Sequence, residues 1–264
     1  MSKETLVVFH RCGGKSLGYP PNTLLTAQWA LEYGAKAIEY DIVYCKDPDA
    51  SRVVVIEPKL LKQAGLDIND LAWSDVSTIE AGNERFGHVV PGTLEEMLVA
   101  INTTTVTHQI HLKGNHPKTT ETVVQKMQGI NSCVLTTFDI EVIKKIKVID
   151  PKMRVGWIVK PKQEKGSEGS EDLTALVAAS GGTLPPYSGE ELGEIIQEAK
   201  DASVDVVILC GPRIQNKNTV MQVQNAGYEV GAWGVGTNLD LAKRLIDYKI
   251  NRFTLDNPEQ LSEK

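Results

Sequence analysis

Short apolar runs alternate with stretches whose apolar positions recur at helical spacing along most of the chain. Leu6 to Phe9 has the pattern of a strand, and Thr23 to Tyr33 that of a helix with Asn22 as its N-cap. Ala35 to Val43 reads as a second strand. Arg52 to Ile56 reads as its return arm, after a polar turn spanning Lys46 to Ala50. A helix is expected over Thr93 to Ile101, a strand over Thr107 to Leu112 and a helix over Pro117 to Met127. The beat continues with strand Cys133 to Thr136, helix Asp139 to Val148 and strand Arg154 to Val159. Lys160 to Ser170 is polar and loop-like, with a helix after it. Strand Val204 to Leu209, helix Ile214 to Ala226, strand Glu229 to Trp233, helix Leu239 to Tyr248 and strand Arg252 to Leu255 complete the series.

With the return arm set aside, eight strands remain, separated by crossover helices. Such alternation implies parallel pairing, and eight units close as a (β/α)8 barrel. A doubly wound open sheet is the alternative, but no Gly-rich dinucleotide fingerprint follows the first strand. The expected organisation is a single domain over residues 1–264, with residues 57–92 as a small insertion over the barrel mouth.

A length of 264 residues with 41% hydrophobic and 23% charged positions suits one such barrel. No apolar run approaches the roughly 20 residues that span a bilayer, and no basic stretch leads into a signal-like apolar segment. Four dispersed cysteines, Cys12, Cys45, Cys133 and Cys210, make no CxxC pair and fit reduced thiols in a cytoplasmic protein. A net charge of −6 argues against nucleic acid as the main partner, without excluding a locally positive site for a small anion.

Barrel active sites gather at the C-terminal ends of the strands, so the polar residues there carry the candidate chemistry. Glu39 and Asp41 lie two apart on one face of a buried strand. Two buried carboxylates need a cation. That cation is either a metal such as Mg2+ or Ca2+, or a neighbouring Arg11 or Lys113. His10-Arg11 at the end of the first strand offers a titratable ring beside a phosphate-binding guanidinium, or else a satisfied histidine at a core edge. Lys113 shares the parity of His111. It can bind phosphate, form a Schiff base as in barrel aldolases, or pair with Glu39 or Asp41. Trp233 either packs or walls a substrate cleft. His108 has the opposite parity from Lys113 and is expected to face away from the lumen; His88 and His116 receive no role.

Taken in order, these segments resemble the glycerophosphodiester phosphodiesterase family over nearly the whole chain. His10-Arg11-Cys12 resembles its His-Arg-Gly, Pro20-Pro21-Asn22-Thr23 its Pro-Glu-Asn-Thr, and Gly34-Ala35 with Ile38-Glu39-Tyr40-Asp41 its Gly-Ala and Ile-Glu-x-Asp. Lys46-Asp47 is similar to its Lys-Asp-Gly turn, and Pro91 with Thr93-Leu94-Glu95-Glu96 to its Pro-Thr-Leu-Glu-Glu segment. Ile110 to Lys113 stands where the family has a Glu, one residue and Lys. Trp233-Gly234-Val235 and Thr254-Leu255-Asp256-Asn257-Pro258 resemble its two closing elements.

The resemblance implies a divalent-cation-dependent hydrolysis of a small phosphodiester to a phosphomonoester and an alcohol. It implies His10 as an acid/base, Arg11 and Lys113 on the phosphate, and Glu39 and Asp41 on the metal. Ile56 stands where the family has its second histidine, and His111 where it has a third carboxylate. His111 would complete a Glu39–Asp41–His111 metal site, moving the preference from Mg2+ or Ca2+ toward Mn2+, Zn2+ or Co2+. In a second arrangement Glu57 holds the metal while His111 supplies the missing proton. The alternative to an enzyme is a catalytically impaired barrel that binds phosphate ligands, because Ile56 cannot transfer a proton.

Overall fold

The computed structural model describes residues 4–47, 52–101, 105–130, 132–161 and 184–261. Eight parallel strands close on themselves: β1 (Leu6–Phe9), β2 (Ala37–Lys46), β6 (Thr107–Leu112), β7 (Cys133–Thr137), β8 (Val155–Ile158), β9 (Val206–Cys210), β10 (Glu229–Trp233) and β11 (Arg252–Leu255). Closure is made by β1, which pairs with β11 along Leu6–Phe9 and with β2 at Val8 and Phe9. The expected barrel is therefore the observed one.

The flanking helices are α1 (Leu24–Glu32), α4 (Leu94–Ala100), α5 (Thr119–Lys126), α6 (Ile140–Ile149), α7 (Gly189–Asp201), α8 (Lys217–Asn225) and α9 (Leu239–Asp247). Their starts follow the side-chain caps. Thr93, Asp139, Ser188, Asn216 and Asn238 each accept a hydrogen bond from the first turn, and Thr93 with Glu96 forms a full capping box. The first helix corrects the sequence reading. Its N-cap is Thr23, whose hydroxyl accepts from Thr26 N, while Asn22 is freed for a different task described below. The expected loop from Lys160 to Ser170 lies, from 162 on, outside the described residues.

Strand parity divides the core. Ile38, Tyr40, Ile42, Ile110 and Leu112 face the helices in the main cluster, together with Val123, Val124, Ile143 and Ile146. A smaller apolar plug of Val134, Ile158, Val206 and Ile208, with Phe138 and Trp233 against it, fills the lumen beneath the site. His108 lies on the helix-facing side, with Nδ1 3.1 Å from Tyr40 Oη.

Strand β2 runs beyond Val43, because its upper half pairs outside the barrel. Ile42–Cys45 join the antiparallel β3 (Arg52–Val55), and Cys45 and Lys46 join β4 (Leu71–Ala72). The segment after β3 contains α2 (Pro58–Gln63), β4, α3 (Trp73–Val76) and β5 (Gly92–Thr93), which returns antiparallel to β3. It has its own apolar cluster, made of Val43, Cys45, Val54, Ile56, Leu61, Leu71 and Val76. Asn83 and Arg85 reach back to the carbonyls of Gly18 and Leu17, and Asn69 accepts from Asn115 N. The insertion is thereby tied to two loops that follow barrel strands.

Candidate active site

The register of β2 on β6 builds the centre of the site. Asp41 stands directly beside His111, and Glu39 stands one inward-facing pair below, beside Gln109. All three of Glu39, Asp41 and His111 are at least 93% buried. The His111 Nδ1 atom lies 3.3 Å from Asp41 Oδ1 and 3.8 Å from Glu39 Oε1. One ligand atom from each of the three falls within 4.8 Å of the others, a grouping that could hold a metal ion. The Nε2 atom of His111 is buried with no hydrogen-bond partner, which is costly for a polar ring nitrogen unless something ligates it. Two carboxylate oxygens and one neutral-capable imidazole, whose Nε2 lacks a partner, make a three-residue donor set that fits a divalent cation.

Electrostatics agree with that reading. Burial, reinforced by the charge on Asp41, pushes the Glu39 carboxyl up to about 7. Burial also pushes on Asp41, but Lys113, His111 and Arg11 outweigh it and hold its carboxyl below the usual range. Burial, with Lys113 nearby, lowers His111 to about 4, so the ring is neutral and able to ligate.

The segment after β1 supplies the other half of the site. His10 to Cys12 form a tight turn in which Arg11 and Cys12 have φ of 51° and 73°. This left-handed backbone is unfavourable for residues with a Cβ, and Cys12 occupies the place where the resembling family has glycine. The turn sends the Arg11 backbone N–H to Glu39 Oε2 at 2.8 Å and turns the guanidinium back over the carboxylates. Arg11 Nε lies 3.5 Å from Asp41 Oδ2, and Nη1 lies 2.7 Å from Glu57 Oε2 without hydrogen-bond geometry. Lys113 Nζ is 3.3 Å from Asp41 Oδ1, the salt bridge that was one of its expected roles, and this pairing gives no support to Schiff-base chemistry.

His10 is anchored rather than loose. Its Nδ1 is 2.5 Å from Asp256 Oδ1, and its Nε2 is 3.9 Å from Glu39 Oε2. Burial lowers the His10 pKa, but the Glu39 charge and the Asp256 hydrogen bond raise it further than burial depresses it. Asp256 also receives Lys15 Nζ at 2.8 Å, and these cationic partners overcome burial and hold its carboxyl low.

The predicted residues thus separate. His10, Arg11, Glu39, Asp41, His111 and Lys113 converge at the mouth. Glu57 joins them through Arg11 but stands outside the three-residue metal grouping. Trp233 supports the mouth from below: its indole N–H donates to the Val159 carbonyl, and its ring meets Phe138 edge-on at 5.4 Å.

Asp256 stands at the mouth, as the end of the last strand implies, and its pairing with His10 is what strand ends alone do not disclose. Asn22 is the contributor that sequence reasoning assigned elsewhere, to a helix cap. Asn22 clamps Asp41 from both sides, Nδ2 donating to Oδ2 and Oδ1 accepting from the Asp41 N–H, each at 3.0 Å.

The chain matches the model of the glycerophosphoryl diester phosphodiesterase family over residues 10–260. A glycerophosphodiester phosphodiesterase of Caldanaerobacter subterraneus is 25% identical over 168 residues, which is 59% of this chain and 67% of that protein. The crystal structure of a glycerophosphodiester phosphodiesterase from Thermotoga maritima has a TM-score of 0.69 at 17% identity, covering 98% of each chain. A phosphodiesterase from Oleispira antarctica, solved in complex with the product sn-glycerol-3-phosphate, has a TM-score of 0.71 at 17% identity, covering 98% of this chain and 95% of that one. With the family model spanning the barrel from His10 to Gln260, this chain belongs to the glycerophosphoryl diester phosphodiesterase family.

Proposed function

We propose that this barrel hydrolyses glycerophosphodiesters or related lipid-headgroup phosphodiesters to a phosphomonoester and an alcohol, with a divalent cation on Glu39, Asp41 and His111. The carrying observation is that a histidine fixed on Asp256 stands 3.9 Å from a buried carboxylate–imidazole cluster. The bound glycerol phosphate in the Oleispira relative supports a glycerol phosphate product here.

Because Asp256 is held ionised, His10 Nδ1 is the donor to it, which leaves Nε2 as the atom that exchanges a proton with the substrate. The Arg11 guanidinium and the Lys113 ammonium lie over the same carboxylates and hold the phosphoryl oxygens. Glu57 restrains Arg11, and Asn22 keeps Asp41 from turning away. A cation bound at the three ligands supplies Lewis-acid polarisation of the phosphoryl group. Two carboxylates favour Mg2+ or Ca2+, and the imidazole of His111 extends the range to Mn2+ or Zn2+.

One observation favours the impaired alternative. Ile56 is 1% exposed and points into the apolar cluster of the insertion, so no proton-transfer group stands at that position. The test is hydrolysis of glycerophosphocholine and glycerophosphoethanolamine by metal-stripped protein, with Mg2+, Ca2+, Mn2+ or Zn2+ restored singly and His10→Ala as control. Metal-dependent turnover that vanishes in His10→Ala supports the enzyme. Turnover no greater than the His10→Ala background, with glycerol phosphate still raising Tm, supports the binding barrel.

A further inference from the structure

A groove of about 530 Å3 opens from the metal-site residue His111 and runs outward over the starts of α5 and α6. That volume lies in the range of small-molecule sites. Its inner end is shared with the catalytic mouth, since Lys113 lines it as well. Phe138 stands at this junction, 5.4 Å from the His111 ring, with two cations close to its own ring. Lys113 Nζ is 5.8 Å and Lys160 Nζ 5.2 Å from its ring centroid. Farther out, Lys145 and His116 join the wall.

The helix that borders the groove adds to this character. Helix α5 begins without a side-chain cap, in contrast to the capped starts of α1, α4, α6, α7, α8 and α9. The Thr119 N–H is taken by the His116 carbonyl, and the N–H groups of Thr120 and Glu121 remain as first-turn donors at the positive end of the helix dipole. Thr119, a lining residue in that turn, is 4% exposed, and its Oγ1 is buried with no partner. The groove also contains two carboxylates, Asp139 and Glu198. The Asp139 side chain is already committed to the Glu141 N–H at 2.9 Å, capping α6. Lys145, exposed on the groove wall, the open helix start and the unused Thr119 hydroxyl are thus the groups placed to receive an anion in the outer groove, with Lys113 shared with Asp41 at its inner end.

We infer that this groove is a second anion subsite, and that the preferred substrates are phosphodiesters whose alcohol half carries its own negative charge, phosphate first. The inference rests on the hydrolytic reading above for the placement of the scissile phosphate at the metal cluster. It then follows that the alcohol leaving from that phosphate projects along the groove, where a choline-type cation meets like charge and a second phosphate meets Lys145, Lys160 and α5.

The experiment compares three probes: bis(glycerophospho)glycerol, glycerophosphoglycerol and glycerophosphocholine, whose alcohols are anionic, neutral and cationic. Binding is read by calorimetry and kcat/KM by product release, in the wild type and in Lys145→Gln, Lys160→Gln and the double variant. Both lysines are solvent-exposed, so the variants are expected to fold. The expected order of affinity is anionic, then neutral, then cationic. The ratio of anionic to neutral affinity should drop about threefold for each lysine removed, as for exposed ion pairs. A wild type without anion preference, or a preference that survives in the double variant, overturns the inference. The two readings fail separately. Anion-preferring binding without hydrolysis of any probe removes the enzyme and keeps the subsite, whereas hydrolysis of all three at similar kcat/KM and affinity does the reverse.

Discussion

His10 and Asp256 meet at 2.5 Å between Nδ1 and Oδ1 although 246 residues separate them in the chain. The pair exists because β1 and β11 are the closing seam of the barrel, with Phe9 in register with Leu255, so the residue after each strand faces its counterpart. Among the described residues the Asp256 carboxylate pairs with His10 and Lys15, the arrangement expected of a positioning residue for His10. Asp256→Asn should lower kcat by about 10²-fold, the scale of a disturbed acid–base group, with a much smaller change in KM. The pH–rate limb belonging to His10 should move to lower pH, since Asp256 is one of the groups that raise its pKa. Asp256→Glu should recover part of the loss. Unchanged kcat in the Asn variant would sink the assignment.

The second prediction concerns the imidazole in the metal cluster. His111→Ala removes one of the three proposed ligands and should weaken divalent-cation binding by at least about tenfold, measured by titration of stripped protein. His111→Glu restores a third carboxylate and should move selectivity toward Mg2+ and Ca2+, away from Mn2+ and Zn2+. Equal metal affinity in His111→Ala and the wild type would place the cation elsewhere and return His111 to a proton-transfer role.

The sequence made the barrel legible because its signals are local: strand parity, crossover spacing and helix caps. It also brought together Glu39, Asp41, His111 and Lys113, since two adjacent parallel strands in register present residues of like parity to one lumen. What it did not disclose depends on closure and on loop direction. Asp256 became a partner of His10 only once β11 met β1. Asn22 was taken as a helix cap because Asn-Thr at a helix start fits either residue; φ of 56° at Asn22 turns its amide toward Asp41 instead and leaves the cap to Thr23. The groove beside Phe138 is made by residues of several elements whose approach no periodicity records.

Ile56 tests whether the missing family histidine can simply be put back. Its side chain is enclosed with Val43, Val54 and Leu61, while the next residue, Glu57, is the one that reaches Arg11. Ile56→His should therefore bury a polar ring among aliphatic groups and cost about 2 kcal/mol of stability, with no gain in turnover. Ile56→Val should cost about 1 kcal/mol and leave kcat intact. Denaturant titration gives the first quantity in each case and steady-state hydrolysis the second. A rise in turnover for Ile56→His would show that the ring can swing to the mouth after all.

The last prediction lies on the other side of the same strand from His111. His108 is buried between the barrel and its helices, and burial lowers its pKa to about 4. In the unfolded chain a histidine titrates near 6.5. Between those values the unfolded state takes up a proton that the folded state refuses. The stabilisation is therefore fully present above about pH 6.5 and is lost as pH falls from there toward 4. The loss at the acid end should be on the order of 3 kcal/mol. Glu39 and His111 also titrate in or near this window, so the informative quantity is the difference between the wild type and His108→Gln, which keeps a polar partner for Tyr40 Oη at 3.1 Å but has no proton to gain. The stability of the variant relative to the wild type should rise steadily as pH falls from 7 to 4.5. A pH-independent difference would mean that the His108 ring is protonated as readily in the fold as in the open chain.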